Sequence, residues 1–186
     1  MDFLDLIYEL GQYGPIILLI YSICVLIKHE TLLFYYIVGV FLNSILNIVL
    51  KGIIQQPRPS ENPKLFEVAM KNGKRFIFKN GVPHDMFGMP SGHAQSCLFS
   101  SVFVFLSLQK PSQLIGYLLF SLLVMYQRVT YNYHTILQVI VGALVGSLFG
   151  YIVFSLSQEK IKGKINEKPE EYGLSLIHIS EPTRPY

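Results

Sequence analysis

Residues 31–51 read TLLFYYIVGVFLNSILNIVLK, a run whose single charge is its last residue, Lys51. As a helix, about 20 such residues reach roughly 30 Å, the thickness of a bilayer's hydrocarbon core. Working outward, four further apolar stretches recur, at 13–27, 91–108, 111–126 and 134–156. The composition agrees: 51% hydrophobic, 15% charged and a mean hydropathy of +0.41 leave too little charge to clothe a soluble surface. The sequence therefore predicts an all-α fold, a polytopic membrane helical bundle of about five transmembrane helices. A polar loop, 52–90, separates helices two and three. Disordered, collagen-like and ordinary soluble-enzyme classes are excluded.

A net charge of +3 on 186 residues gives no footprint for nucleic acid, so none is expected as a partner. Cys24 and Cys97 lie inside apolar runs and form neither a metal spacing nor a disulfide framework. The acidic start (Asp2, Asp5, Glu9) lacks a basic n-region, which predicts an uncleaved first span. Phe3, Leu4, Ile7 and Leu10 fall at helical spacing and predict a short interfacial helix over 1–10. We expect one membrane domain over 1–157 and a Lys-rich tail over 158–173. Residues 174–186 read as non-native, because 174–184 look like the translation of a library-preparation adapter.

Five helices place the polar loop, the start of span three and the 128–134 connection on one side of the membrane. Three clusters collect there: Lys51-Gly-Ile-Ile-Gln-Gln-Pro-Arg58-Pro59, Met89-Pro90-Ser91-Gly92-His93, and Gln127-Arg128 through His134 to Gln138. A phosphoryl group asks for such a set, since its transfer is catalysed largely by positioning and by stabilising charge on its oxygens. Arginine supplies a planar fork of donors and lysine a point charge. Ser91 and Gly92 precede a helix whose free N–H groups favour an anion. Two histidines can share the nucleophile and acid roles. Taken singly, each signal has a plainer meaning. Lys51 and Arg128 read as interfacial anchors, Ser91-Gly92 as a turn, His93 as a helix-start cap, and His134 as part of an aromatic belt with Tyr131 and Tyr133. Their joint occurrence carries the argument.

Lys-x6-Arg-Pro, Pro-Ser-Gly-His and Arg-x5-His, in that order, resemble the three signature motifs of the type 2 phosphatidic acid phosphatase (PAP2) and haloperoxidase superfamily. The likeness covers about 31–156. It is nearest the dolichyldiphosphatases, which hydrolyse a polyisoprenyl diphosphate to the monophosphate. The resemblance implies that Lys51, Arg58, Arg128, Ser91 and Gly92 hold phosphate oxygens. It implies that His134 attacks phosphorus to form a phosphohistidine, and that His93 protonates the leaving oxygen and then activates water. It also implies a catalytic face that is lumenal or otherwise outside the cytosol. The count of basic residues on the two faces is nearly balanced and does not choose an orientation.

Two positions depart from the superfamily pattern: Gln127 stands for Ser, and Gln138 for Asp. Gln138 lies one helical turn after His134, so its amide oxygen can accept the His134 Nδ1–H and fix the tautomer. It cannot stabilise an imidazolium as a carboxylate does, a deficit of about 1–2 kcal/mol. Gln127 has no explanation at this level. Between Lys51 and His134 the carboxylates are Glu61, Glu67 and Asp85, dispersed in sequence, which predicts no metal and no cofactor. His84-Asp85 reads as a solvated loop pair.

Asn43, Asn47 and Lys51 form one stripe of helix two, suited to interhelical hydrogen bonds. His134, Gln138, Gly142, Gly146 and Gly150 form another on the last helix, whose glycines let a neighbour approach closely. The expected substrate is a lipid diphosphate within the membrane. A lipid monophosphate phosphatase and a non-catalytic lipid-phosphate binder are the alternatives, and the oligomeric state is left open.

Overall fold

The computed structural model describes residues 3–79 and 81–167. Five long helices form the bundle: α1 (Phe3–Leu26), α2 (Glu30–Ile54), α4 (Gly92–Leu108), α5 (Pro111–Thr130) and α6 (Ile136–Glu167). Between α2 and α4 lie a short helix α3 (Pro63–Lys71) and a hairpin of β1 (Phe76–Lys79) and β2 (Val82–Asp85). The polar loop thus has structure that its composition concealed. Asn62 caps α3 by accepting the Lys64 and Leu65 amides, and Pro63 opens its first turn. The hairpin pairs Phe76 with Asp85 and Lys79 with Val82. Asn80-Gly81 between its strands is the dipeptide that tight hairpin turns prefer, a signal the sequence reading passed over. Among the described residues no separate interfacial helix precedes the first span: residues 3–10 belong to the continuous α1, and residues 1–2 of the expected 1–10 helix lie outside the described residues. The adapter-like stretch 174–186 lies outside the described residues, as does the end of the Lys-rich tail, while α6 runs on through 157 to Glu167.

Three helices, α1, α2 and α6, are long and apolar enough to cross a membrane. α4 has only 17 residues and packs against each of the other four, so neighbours rather than lipid cover most of it. That position explains how it carries Gln95, Ser100 and Ser101 fully buried. The outward faces present Ile20, Phe34, Phe41, Leu119, Leu144 and Leu148, an apolar surface suited to lipid.

Two devices hold the helices in register. Gly142, Gly146 and Gly150 of α6 face Ser91, the cap of α4, and Gln95 and Phe99 within it, two sets at the same four-residue spacing. A Cβ at Gly142 or Gly146 would strike the backbone carbonyl of Ser91 or Gln95. Close approach therefore requires glycine there, as the stripe predicted. On the other side of α4, Gln95 donates to the Asn43 side chain at 2.9 Å and accepts from Asn47 at 2.8 Å. Asn47 also donates to the Pro90 carbonyl at 3.2 Å. The amide stripe of α2 thus ties it to α4 with its polar groups satisfied, which a low-dielectric interior demands. Deeper in the bundle, Tyr36, Phe99 and Phe103 pack their rings together, with the Tyr36 hydroxyl 2.8 Å from Ser100 Oγ.

Candidate active site

Lys51 sits in the last turn of α2, 6% exposed. Its Nζ donates to the Phe87 carbonyl at 3.1 Å and pairs with Asp85 Oδ2 at 3.4 Å. Asp85 is a node. Its carboxylate also takes Arg75 Nε and NH2 at 3.1 and 3.0 Å, and the Phe87 amide at 3.1 Å. Burial works against its charge, but the Arg75 fork, Lys51 and that amide outweigh it and hold the carboxyl below its usual range. The expectation of a solvated His84-Asp85 pair is therefore corrected. The strand alternation turns the two side chains apart, and His84 meets Glu61 at 3.0 Å instead.

Arg58 follows α2 on the loop. Its Nε donates to the Asp85 carbonyl at 2.8 Å, and its NH1 lies 3.5 Å from His134 Nε2 and 3.5 Å from the Tyr133 carbonyl. The α5–α6 turn brings the third motif into place. The Tyr133 and His134 amides both donate to the Arg128 carbonyl, at 3.0 and 3.1 Å, folding the turn back on the end of α5. Arg128 is 5% exposed, with its guanidinium 4.1 Å over the Tyr133 ring.

Gln138 fixes the His134 tautomer. Its Oε1 accepts the Thr135 amide at 3.2 Å, and its Nε2 donates to the Pro57 carbonyl at 2.9 Å. Those two backbone groups orient the amide, since one can only donate and the other only accept. The His134 Nδ1 contact to Oε1, at 3.2 Å, is therefore an N–H donation, and the neutral ring keeps its lone pair on Nε2, facing Arg58. His134 is 2% exposed. Burial, together with the charges of Arg58, Arg128 and Lys51, pushes its pKa down and keeps the imidazole neutral. The Gln138 Nε2 has a second acceptor, Gln56 Oε1 at 3.1 Å. The amide thus does work that no carboxylate could, because the Pro57 carbonyl can only accept.

Ser91, fully buried, caps the start of α4 and donates its amide to the Gln138 carbonyl at 3.0 Å. Its Oγ and the Arg128 Nε are buried without a hydrogen-bond partner among the described residues. Buried polar atoms of this kind are costly unless a ligand satisfies them. Gly92 lies against Asn47, where an added Cβ would come 3.2 Å from Oδ1. His93, in the first turn of α4, places Nε2 3.1 Å from the Gln12 carbonyl of α1.

One chain of contacts therefore links Lys51, Asp85, Arg58, His134, Gln138 and Ser91, and a second links His93 to Arg128 through Gln12. The sequence reading missed Gln12, Gln56, Arg75 and the Asp85 node. Among the described residues no group of three or more His, Cys, Asp or Glu could hold a metal ion. The arrangement is three cations and a helix N-terminus around a neutral, oriented imidazole. Such a set of donors is chemically able to hold a tetrahedral oxyanion.

Fold and site together define a membrane helical bundle that gathers lysine, arginine and histidine side chains at one end. The match to the PAP2 superfamily model covers residues 32–162, and the chain belongs to that family. It is 31% identical over 149 residues to Lipid phosphate phosphatase epsilon 1, chloroplastic, of Arabidopsis thaliana, covering 76% of this chain and 46% of that one. It is 30% identical over 151 residues to human (Homo sapiens) Dolichyldiphosphatase 1, covering 73% and 57%. To the Dolichyldiphosphatase of Saccharomyces cerevisiae it is 30% identical over 164 residues, covering 82% and 64%. The chain thus spans between about half and two thirds of these relatives' length. The crystal structure of Aquifex aeolicus LpxE shares the fold, with a TM-score of 0.62 at 22% identity over 83% of this chain and 87% of that one.

Proposed function

We propose that the chain is a metal-independent phosphatase that hydrolyses a lipid diphosphate, of polyisoprenyl type, to the monophosphate. The observation that carries this is the His134 geometry: Nδ1–H is given to Gln138, while the Nε2 lone pair faces the Arg58 guanidinium at 3.5 Å. Lys51, Arg58, Arg128, Ser91 and the Gly92 amide hold the terminal phosphoryl oxygens. The His134 Nε2 lone pair forms the N–P bond as the P–O bond to the lipid monophosphate breaks, and His93 gives the leaving oxygen its proton. Water then attacks the phosphohistidine, passing a proton to His93. The N–P bond breaks and inorganic phosphate leaves. Both half-reactions use the same cations to hold charge that grows on the transferred group.

The choice of a lipid rests on the membrane-spanning helices and on the names of the relatives. A cavity of about 180 Å³ between α1, α2 and α4, lined by Tyr36, Val40, Asn43, Ser96 and Phe99, lies below the site at the level of Asn43, one turn deeper than Asn47. It offers room for a short apolar segment below the bound head group. We assign this activity to 1–157, with 158–173 as a polar tail and 174–186 as non-native, and place the catalytic face outside the cytosol.

Purified protein, given polyprenyl diphosphate in the presence of a chelator, releases phosphate, and labelled substrate leaves an acid-labile phosphoenzyme. His134→Ala gives neither. A panel in which phosphatidic acid turns over faster than the diphosphate replaces this reading with the monophosphate one. Binding without turnover of either replaces it with the non-catalytic one.

A further inference from the structure

The three motifs leave α1 without a role, yet α1 touches both members of the second contact chain. Gln12 gives its backbone carbonyl to His93 Nε2 at 3.1 Å and its side-chain Oε1 to Arg128 NH1 at 3.0 Å. We propose that Gln12 is a positioning residue for the phosphatase reaction. It sets the proton-transfer nitrogen of His93 and the phosphate-facing edge of Arg128. The inference rests on the function proposed above and concerns the same site.

The chemistry is specific at each contact. A carbonyl can only accept, so His93 Nε2 carries a hydrogen, and Nδ1 remains the nitrogen that can take and give the catalytic proton. Catalytic bases are commonly oriented by a third group in this way. Arg128 is held on two sides, by the Tyr133 ring 4.1 Å beneath it and by Gln12 at NH1. With NH1 occupied, the edge left for a bidentate oxyanion is Nε with NH2, and Nε is the atom buried without a partner. Gln12 itself is exposed, so it is not placed there by core packing.

What brings Gln12 to this position is the docking of α1 on α5. Gly11 and Gly14 sit directly on Gln127 and Val124, and a Cβ at Gly11 would run into the Gln127 side chain at Cγ, with Cβ at 2.5 Å. Gln127, the unexplained departure from the superfamily pattern, is fully buried against that glycine, and its amide has no hydrogen-bond partner among the described residues. The bulk of Gln127 and the missing side chain of Gly11 are complementary. Together they set how close α1 comes to Arg128.

The test uses the full chain in lipid nanodiscs, with inorganic vanadate binding by calorimetry as the probe beside steady-state turnover. Gln12→Leu removes the hydrogen bond to Arg128 while leaving the carbonyl, so the vanadate Kd and the KM rise together by about fivefold and kcat holds within about twofold. Gln12→Glu places a carboxylate on Arg128 beside the incoming anion, so both constants rise by a further tenfold or so. Gly11→Ala pushes α1 away and lowers kcat as well, by about tenfold, and Gly11→Ala/Gln127→Gly restores it. Unchanged vanadate affinity in Gln12→Leu overturns the proposal, as does an equal effect of Leu and Glu, which marks a merely structural contact. A wild-type chain that binds vanadate with this Gln12 dependence but hydrolyses no lipid phosphate defeats the proposed reaction and not the positioning.

Discussion

Replacing Gln138 with Glu keeps the side chain's size and brings this chain closer to the carboxylate of the wider superfamily. If Gln138 were only a weakened carboxylate, the change would raise activity, because a glutamate stabilises the imidazolium of His134 better than an amide. The structure gives the opposite sign. Gln138 is fully buried, and its nitrogen donates to Pro57 O at 2.9 Å and Gln56 Oε1 at 3.1 Å. A carboxylate there faces two acceptors. Gln56 can rotate its own amide to donate instead, but the Pro57 carbonyl cannot. One buried carbonyl loses its partner and faces an anion, while the second contact is remade at best. Together these cost about 2–4 kcal/mol. For a domain of this size that lowers Tm by roughly 4–16 °C. The damage falls on catalysis too, because Pro57 adjoins Arg58, whose NH1 lies 3.5 Å from His134 Nε2. A displaced Arg58 costs about tenfold to a hundredfold in kcat/KM. The assay is thermal unfolding in detergent beside phosphate release from polyprenyl diphosphate. Wild-type stability with equal or higher turnover in Gln138→Glu refutes the reasoning outright.

Three further outcomes follow from the same geometry. Gly142→Ala and Gly146→Ala force α6 off the backbone of Ser91 and Gln95; each loses at least about 1–3 kcal/mol, seen in thermal unfolding, and Gly142→Ala loses more activity because Ser91 moves with it. Asp85→Asn strips Lys51 and Arg75 of their shared counter-charge while keeping an acceptor for the Phe87 amide, so stability falls by about 1–3 kcal/mol and KM rises more than kcat falls. His134 has a pKa pushed below its ordinary value by burial and the nearby cations, so below about pH 6.5 the unfolded chain binds a proton that the folded ligand-free protein refuses. Stability therefore drops on acidification, by at most about 1.4 kcal/mol per pH unit from this group, and His134→Gln flattens the slope of Tm between pH 7 and 5.

The parts of this protein that were legible in its sequence share a property: each is a side chain whose identity is its function. Apolar runs named the five long helices, and the glycine stripe named a close helix contact on α6, though not α4 as the partner. Three motifs named the cations and imidazoles that the fold gathers at one end, because those side chains carry their chemistry in their identity. What stayed hidden is the frame that aims them. Lys51 is held by the Phe87 carbonyl, Arg58 by those of Asp85 and Tyr133, Gln138 by that of Pro57 and His93 by that of Gln12. A carbonyl is the same in every residue, so no residue type announces it, and only the fold decides which carbonyls face inward. Half of the role of Gln138 was hidden for the same reason. Its place one turn after His134 announced the tautomer-fixing contact, but nothing in the sequence announced the Pro57 carbonyl that takes its N–H. Gln127 follows the same logic from the other side, since its size acquires meaning only once Gly11, more than a hundred residues earlier, is laid against it.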